Sequence, residues 1–180
     1  MRTLVFDTET TGLSKTQIIS PSTIHLWPHV VQFSYIIFDT ESNKIVKIKD
    51  SIIKVPDGFT IAEENAKIHG ITTEISLAQG TSLQPVLEEF FTDFDSADHI
   101  VGHNVSFDIN MIKAELQRLI MNSSDKKLQD YLTTINTSTK FYCTMQETIE
   151  LCAIEMKDKY GRPYKKFPKL VELYQKMFGV

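Results

Sequence analysis

The chain has 180 residues, a mass of 20.6 kDa, 42% hydrophobic residues and a formal net charge of −4. These values predict one globular domain over residues 1–180 with its own hydrophobic core, and they exclude a disordered chain, a collagen and a repeat array. The negative charge argues against a basic face that binds duplex phosphates tightly.

Three strands are predicted in the first third of the chain. Residues 2–7 form a short apolar run typical of a buried strand, and residues 30–38 and 44–53 predict two more strands. A short polar turn joins the last two, which indicates a hairpin. The long segment 14–29 is predicted to cover the sheet, with Trp27 as its anchor, although it could instead form a wall of a substrate groove.

Two helices are predicted next. Thr60 and Glu63 have the spacing of a capping box, which would open a short helix that stops before Gly70. Ser82 is predicted to cap a second helix over residues 83–95, where a proline in the first turn costs little.

The rest of the chain alternates strands with helices. Residues 99–102 predict a short strand, and Asn104 or Ser106 is expected to cap a long helix whose apolar residues recur at helical spacing. A strand and two helices are then predicted over residues 140–143, 144–156 and 168–177. Leading strands followed by interleaved helices indicate an α/β or α+β domain with three layers and a mixed sheet.

Asp7 and Glu9 form a pair of acids at the end of the first predicted strand. Because strand side chains alternate, both carboxylates are predicted on one face, with Thr8 on the other. Such a pair is costly unless solvent or cations neutralise it, and Mg²⁺ or Mn²⁺ suits the task because these ions take oxygen ligands. A solvated strand edge is the alternative.

A third acid, Asp108, lies in the first turn of the helix that follows the predicted fourth strand. The helix dipole favours an acid at this position, so an ordinary helix-terminal carboxylate is the alternative to a functional role.

The two segments together, DTETTGL at residues 7–13 and HNVSFD at residues 103–108, resemble the first two motifs of the DnaQ-like 3′-5′ exonucleases. This is the DEDD family, and the chain is most similar to its DEDDh type and to the proofreading subunits of bacterial DNA polymerase. Shorter matches lie at residues 68–72, 143–145 and 166–170. The resemblance implies a ribonuclease H-like α/β fold of three layers with a mixed five-stranded sheet.

The resemblance also implies an activity. It makes the chain a phosphodiester hydrolase that releases nucleoside monophosphates from the 3′ end of single-stranded or frayed DNA, with two divalent cations, Mg²⁺ or Mn²⁺. Asp7, Glu9 and Asp108 are implied as the catalytic acids and metal ligands. The residues implied to contact the terminal nucleotide are Thr10, Thr11, Gly12, Leu13, His69, Asn104 and Phe107. The implied partners are a single-stranded DNA or RNA 3′ end and a DNA polymerase subunit, and the oligomeric state stays open.

Several of these residues have an alternative structural role. Leu13 and Phe107 fit a hydrophobic core, Asn104 fits a helix cap, and His69 fits a turn after a helix. The residues alone do not decide between these roles.

The fourth motif of the family is not found in this sequence. Relatives carry His-x-x-x-x-Asp or Tyr-x-x-x-Asp on a last helix, but every histidine here lies within the first 103 residues, and no tyrosine after Asp108 has the required acid. That helix is expected near Val180, so an incomplete sequence, a degenerate copy and completion by a partner chain all remain open. We expect weak activity or none from these 180 residues. The rival hypothesis is a non-catalytic module that binds nucleic acid or a polymerase.

Residues 157–166 form a predicted loop in which basic and aromatic residues alternate. Within residues 157–180, seven Lys or Arg and two acids give a charge of +5. The pattern suits phosphates and stacked single-stranded bases, with a solvated surface loop as the alternative.

The sequence predicts a cytoplasmic protein. No run reaches the roughly 18 apolar residues of a membrane-spanning helix, and the first residues do not resemble a signal peptide. Cys143 and Cys152 are too few for a disulfide framework and are expected to be reduced core thiols.

Overall fold

A mixed five-stranded sheet lies at the centre of the computed structural model, which describes residues 1–179. The strands are β1 (Arg2–Thr10), β2 (Val30–Asp39), β3 (Lys44–Ile52), β4 (His99–Gly102) and β5 (Phe141–Cys143). Their order is β3-β2-β1-β4-β5, with β1, β2 and β3 antiparallel and β4 and β5 parallel to β1. This confirms the predicted sheet.

The helices occupy the connections and the carboxyl-terminal region. They are α1 (Glu63–His69), α2 (Thr73–Gln79), α3 (Leu83–Ser96), α4 (Val105–Asn122), α5 (Lys126–Thr137), α6 (Thr144–Glu147), α7 (Ile149–Cys152) and α8 (Leu170–Phe178). A short 3₁₀ helix spans Ile24–Leu26, and a separate two-stranded sheet pairs β6 (Glu155–Lys157) with β7 (Pro163–Lys165).

One face of β1 and β2 is packed against α3 through aromatic rings. The ring of Phe90 lies 4.9 Å from that of Phe33 and 5.5 Å from that of Phe6, and all three side chains are buried. Helix α4 adds Met111 and Ile112 to the same core. Because β1 and α4 pack into the same core, the position of the start of α4 relative to the end of β1 is fixed.

The other face of the same strands is more open. Val5 is 37% exposed and Ile48 66% exposed, and together with Ile36 they line a cleft of about 410 Å³ that reaches Asp7. Exposed apolar residues thus lie beside one of the acids at the end of β1.

The segment before β2 is anchored to α4, and part of it also borders a cleft with Leu13 and Phe107. Trp27 is buried, and its indole N–H donates to the Ile18 carbonyl at 2.9 Å. Arg118 donates to the carbonyl oxygens of Trp27 (2.6 Å), Pro28 (3.0 Å) and Ile24 (3.2 Å). The guanidinium of Arg118 thus holds the segment by three carbonyls around its short 3₁₀ helix.

Two helices lie where the sequence predicted none. In α2, the Thr72 hydroxyl accepts the N–H of Ile75 at 3.2 Å, and in α5 the Asp125 carboxylate accepts the N–H of Lys127 at 3.0 Å. Each is an ordinary N-terminal cap that the sequence carries.

Three predicted caps differ from the structure. Helix α1 is preceded by Ala62 rather than Thr60, and the predicted capping box is wrong. Ser82 and Asn104 hold the predicted N-cap positions of α3 and α4, but neither side chain makes a capping hydrogen bond.

The predicted helix over residues 144–156 is wrong in its second half. The helix is interrupted at Thr148, between α6 and α7. Helix α7 ends at Cys152, because the next residue, Ala153, has a φ of +49° and does not continue a right-handed helix. The following residues form β6, so the predicted basic loop is a β-hairpin.

Both cysteines are free thiols; Cys143 is buried and Cys152 half-buried. Along residues 1–179, none of the helices combines the length and the apolar character needed to cross a bilayer.

Candidate active site

The end of β1 places Asp7 and Glu9 on the same side of the sheet. The strand alternates, so that Thr8 is buried while Asp7 is exposed and Glu9 half-buried. This is the arrangement that the sequence predicted, because a strand has a side-chain period of two.

Asp108, from the first turn of α4, is buried with 2% exposure. Its Oδ1 accepts two hydrogen bonds from Thr8, one from the backbone N–H at 2.9 Å and one from the hydroxyl at 2.7 Å. The third acid is therefore joined to the strand residue between the first two. The sequence assigned no role to Thr8, and only its position inside the Asp-x-Glu pattern could have indicated one.

The three carboxyl groups influence one another. Burial raises the pKa of Asp108 to about 7, and the charge of Asp7 adds to this shift while the Thr8 hydrogen bonds oppose it. Burial, followed by the charge of Asp7, raises the pKa of Glu9. Desolvation by the surrounding protein atoms raises the pKa of Asp7, and the electrostatic interaction with His103 lowers it. Like charges in a partly dry site favour protonation unless a cation compensates them.

The donor chemistry suits a hard divalent cation, because all three side chains offer carboxylate oxygens and Asp7 repels both of the others. Across residues 1–179, however, no three Asp, Glu, His or Cys side chains converge closely enough to form a ready metal-binding group. Asp108 is directed to Thr8 by its two hydrogen bonds.

A cleft of about 360 Å³ adjoins Glu9 and gathers most of the predicted substrate residues. Its lining includes Thr10, Gly12, Leu13, His69 and Phe107 from that prediction, together with Thr8, Glu9, Asn65 and Ile68. Thr11 and Asn104 are not part of this lining.

Leu13 and Phe107 form one wall of the cleft. Leu13 is 79% exposed, so the core role that the sequence left open for it is wrong, whereas Phe107 is half-buried and packs partly against the core. The same two residues also border a neighbouring cleft of about 440 Å³ near Trp27. An exposed leucine opposite a half-buried aromatic ring leaves an apolar surface open to a planar ligand.

Asn65 fixes the loop after β1. Its amide Nδ2 donates to the Thr11 carbonyl at 2.6 Å, and the Thr10 hydroxyl donates to the Gly12 carbonyl at 2.7 Å. Gly12 has a φ of +147°, a conformation that glycine adopts readily. Thr11 also donates its N–H to the His29 carbonyl at 2.9 Å, so its role in the structure is to hold the loop. No sequence motif indicated Asn65.

His69 ends α1 and contributes its ring to the cleft lining. Its Nδ1 accepts the N–H of Ile71 at 3.1 Å, and among the described residues its buried Nε2 has no hydrogen-bond partner. Burial lowers the pKa of His69, and the Thr10 backbone acts in the opposite direction. The ring thus stabilises the turn after α1 through Nδ1, and among the described residues its Nε2 is left without a hydrogen-bond partner.

The loop between β4 and α4 is held from the other side. His103 forms a 3.0 Å hydrogen bond from Nδ1 to the Thr144 hydroxyl and donates from Nε2 to the Pro168 carbonyl at 3.0 Å. Asn104 is exposed, with a φ of +65°; its side-chain Oδ1 accepts from the Ser106 hydroxyl at 3.3 Å, and its backbone carbonyl accepts the N–H of Phe107 at 2.8 Å. His103 thereby joins the second motif to the segment that precedes α8.

The mixed five-stranded sheet and its helices form a ribonuclease H-like domain, with an acid pair at the end of the central strand and a third acid at the start of α4. Residues 4–153 match the RNase_T family, described as exonuclease. The chain belongs to this exonuclease family.

Two curated relatives are DNA polymerase III epsilon subunits of Buchnera aphidicola. The protein from the Acyrthosiphon pisum strain is 26% identical over 157 residues, which cover 83% of this chain and 53% of the relative. The protein from the Schizaphis graminum strain is 26% identical over 164 residues, covering 88% of this chain and 64% of the relative. The chain thus spans about half to two thirds of the length of these relatives.

Among solved structures, Escherichia coli exonuclease I in complex with a dA16 oligonucleotide has the same fold. The TM-score is 0.63 at 18% identity, and the match covers 97% of this chain and 35% of that chain. A product-bound exonuclease I gives the same TM-score and identity over 99% of this chain and 38% of its own length. The ribonuclease H-like exonuclease fold predicted from the sequence is confirmed.

Proposed function

We propose that this chain is a metal-dependent 3′-5′ exonuclease domain that removes nucleoside monophosphates from single-stranded or frayed DNA. The observation that carries the proposal is the pair of hydrogen bonds that joins Asp108 to Thr8, because it brings the third acid beside the strand that bears Asp7 and Glu9. Membership of the exonuclease family supports the same conclusion.

The three acids would hold two Mg²⁺ or Mn²⁺ ions, which supply an activated water and stabilise the departing 3′ oxygen when bound. Thr8 orients the Asp108 carboxylate through its two hydrogen bonds. Desolvation raises the pKa of both Asp7 and Glu9, and the charge of Asp7 adds to the shift of Glu9.

The cleft beside Glu9 is proposed to receive the terminal nucleotide. Its volume of about 360 Å³ lies within the range of small-ligand sites. Leu13 and Phe107 would pack against the base, while Asn65 holds the loop that follows β1. An apolar contact does not distinguish one base from another, as degradation of any sequence requires.

The relatives supply independent support for the substrate and the partner. The solved exonuclease I structure contains a dA16 oligonucleotide, which favours a single DNA strand as substrate. The curated relatives are subunits of DNA polymerase III, which favours a polymerase subunit as a partner.

Trimming of a 5′-labelled single-stranded DNA oligonucleotide, resolved on a gel with Mg²⁺ and with Mn²⁺, tests the proposal. Because the fourth motif is not found in this sequence, we expect only slow stepwise shortening from the 3′ end by the wild-type chain, and none by Asp7→Ala. Asp57→Ala is the matched control, because the Asp57 side chain is 93% exposed and lies outside the cleft. Equal trimming by wild type and Asp7→Ala would contradict the assignment of the acids.

A non-catalytic module that binds nucleic acid in the same cleft is the second candidate. It is favoured by the finding that the three carboxylates, as described, do not form a ready metal-binding group. Metal-dependent binding of the oligonucleotide without any shortening would support this candidate over the enzyme.

A further inference from the structure

The β6–β7 hairpin carries a cluster of basic and aromatic side chains that the candidate active site does not use. Residues 155–166 hold five Lys or Arg and two acids, a net charge of +3 in a chain of −4. All residues of β6 and β7 are exposed, and the two strands form a sheet separate from the central one. This charge is therefore presented to solvent.

The turn of the hairpin is held in one conformation by Asp158. Its Oδ1 accepts the backbone N–H groups of Tyr160 at 2.8 Å and Arg162 at 2.9 Å, and its Oδ2 accepts Nε of Arg162 at 2.8 Å. The N–H of Asp158 donates in turn to the Arg162 carbonyl at 3.0 Å. A turn tied at four points loses little conformational entropy when it binds a ligand.

Tyr160 is presented at the tip of this turn with 71% of its surface exposed. The Lys159 ammonium lies 5.0 Å and the Arg162 guanidinium 5.3 Å from the centre of its ring. An exposed aromatic ring flanked by cations is the arrangement that stacks on a base while the cations meet the neighbouring phosphates. Tyr164, 48% exposed on β7, adds a second ring.

Two lysines of the hairpin have no acidic partner among residues 1–179. Arg162 pairs with Asp158, Lys165 with Glu150 and Lys166 with Glu172. Lys157 and Lys159, in contrast, make no such pair within the described chain, and both are exposed. They are the cations available to phosphates.

The segment that follows the hairpin contacts the loop between β4 and α4. The Pro168 carbonyl accepts a 3.0 Å hydrogen bond from Nε2 of His103, in the loop that leads into α4 and Asp108. Tyr164 is four residues from Pro168, so an extended chain places them at most about 14 Å apart. A short chain segment therefore connects the hairpin to the contact with the loop that leads into α4 and Asp108.

We propose that the β6–β7 hairpin is a second binding surface for single-stranded nucleic acid, which holds the strand upstream of the nucleotide in the cleft. The direction of the bound strand, with its 3′ end in the cleft, rests on the proposed exonuclease function. Binding of the strand by the hairpin needs no metal ion. The ligand is a nucleic acid whose unpaired bases stack on Tyr160 and Tyr164 and whose phosphates contact Lys157 and Lys159.

Fluorescence anisotropy of a labelled oligo-dT, titrated with the full chain in EDTA at several salt concentrations, tests this surface. We expect Lys157→Glu/Lys159→Glu to weaken binding about tenfold or more. The slope of log K against log salt should fall by about 1.4, since each phosphate on a single strand contributes about 0.7. Lys126→Glu/Lys127→Glu is the matched control, because it makes the same charge change at exposed lysines on α5. Equal weakening by both double variants would overturn the proposal, since net charge alone would then explain binding.

Tyr160→Ala tests stacking separately from charge. We expect affinity to fall about fivefold or more with an unchanged salt slope, and Tyr160→Trp to restore it. Wild-type affinity in Tyr160→Ala would overturn the stacking role. A polyglutamate peptide that binds the hairpin as tightly as oligo-dT would also overturn the proposal, in favour of an acidic protein partner.

Oligonucleotide length separates this inference from the proposed function. With Mg²⁺, we expect the hairpin variants to trim a trinucleotide at the wild-type rate and a long oligo-dT more slowly at low concentration. If the wild-type chain does not trim DNA but its binding still depends on Lys157 and Lys159, the proposed exonuclease activity is contradicted and the proposed hairpin surface is supported. If the hairpin variants trim and bind long strands as the wild type does, only the proposed hairpin surface is contradicted.

Discussion

Thr8 donates two hydrogen bonds to one oxygen of Asp108, and this contact joins the acid of α4 to the strand that bears Asp7 and Glu9. Thr8 and Asp108 are 100 residues apart in sequence. Both groups are buried, so the contact is protected from competing water. It sets the direction of the carboxylate before any ligand binds.

We predict that Thr8→Val reduces trimming by roughly tenfold or more, because the shape is kept but the hydroxyl that orients Asp108 is lost. The backbone N–H bond remains in this variant. Single-turnover trimming measures the change, and a thermal melt measures the accompanying loss of stability. Thr8→Ser, which keeps the hydroxyl, should retain most of the activity. If Thr8→Ser fails as badly as Thr8→Val, packing of the methyl group rather than orientation is what matters.

Asp7, Glu9 and the alternation of β1 could be predicted from the sequence, because they depend on the local period of a strand. The position of Asp108 at the same end of the sheet could also be anticipated, since a parallel strand and the helix after it bring their junction to that end. Thr8 and Asn65 could not, because their roles arise from contacts with residues 100 and 54 positions away. No local pattern encodes such partners.

The errors in the secondary structure have equally physical causes. The predicted helix over 144–156 has adequate helical propensity, but the left-handed Ala153 and the pairing of β6 with β7 end it early. Tertiary pairing overrides propensity in such cases. Helix α5, in contrast, carries a cap at Asp125 and was predictable.

A second set of predictions concerns the buried carboxylate of Glu115. It accepts the Val30 N–H at 3.0 Å and pairs with Arg118 at 2.8 Å, with His29 at 3.4 Å. Burial acts to raise the pKa of Glu115, but the His29 hydrogen bond and the charges of Arg118 and His29 outweigh it, so the pKa lies below its ordinary value. We expect Glu115→Gln to lower the free energy of unfolding at pH 7 by about 2 to 3 kcal/mol, because Arg118 loses its charge partner.

The pH dependence of this effect has a definite sign. A carboxyl with a depressed folded-state pKa stabilises the fold above its unfolded-state pKa, near 4.5, and the contribution is lost as pH falls through the lower folded-state value. The difference between wild type and Glu115→Gln in urea denaturation should therefore be full at pH 7 and shrink below pH 4.5. Glu41→Gln is the control, since the Glu41 side chain is 84% exposed. A difference that grows on acidification would contradict the depressed pKa.

Gly12→Ala tests the conformation of the loop after β1. An alanine Cβ would meet only Asn65 Nδ2, at an ordinary 3.6 Å, so the cost comes from the φ of +147° rather than from a clash. We expect a loss of about 1 to 2 kcal/mol in unfolding free energy and a clear drop in trimming. Gly58→Ala, at φ +81° with open space around it, is the control for strain. It should lose stability but keep full activity, and a matching drop in trimming there would point to a general effect of destabilisation.

Leu13→Ala separates substrate contact from folding. Leu13 is 79% exposed, so its truncation removes little buried surface and should change the unfolding free energy by less than about 0.5 kcal/mol. If the side chain packs against the terminal base, the variant loses a contact worth about 1 to 3 kcal/mol per base. We therefore expect the KM for single-stranded DNA to rise about fivefold or more.

Ile18→Ala is the matched control for Leu13→Ala, because Ile18 is 64% exposed and is not part of the cleft beside Glu9. It should leave both KM and kcat unchanged. Steady-state trimming of the same oligonucleotide by both variants gives the comparison. If Leu13→Ala kept the wild-type KM, the exposed leucine would have no role in substrate binding, and Phe107 would remain as the apolar residue of the cleft proposed to face the base. Because Phe107 also packs against the core, its own truncation would lower stability as well as affinity, whereas Leu13→Ala reports on the substrate alone.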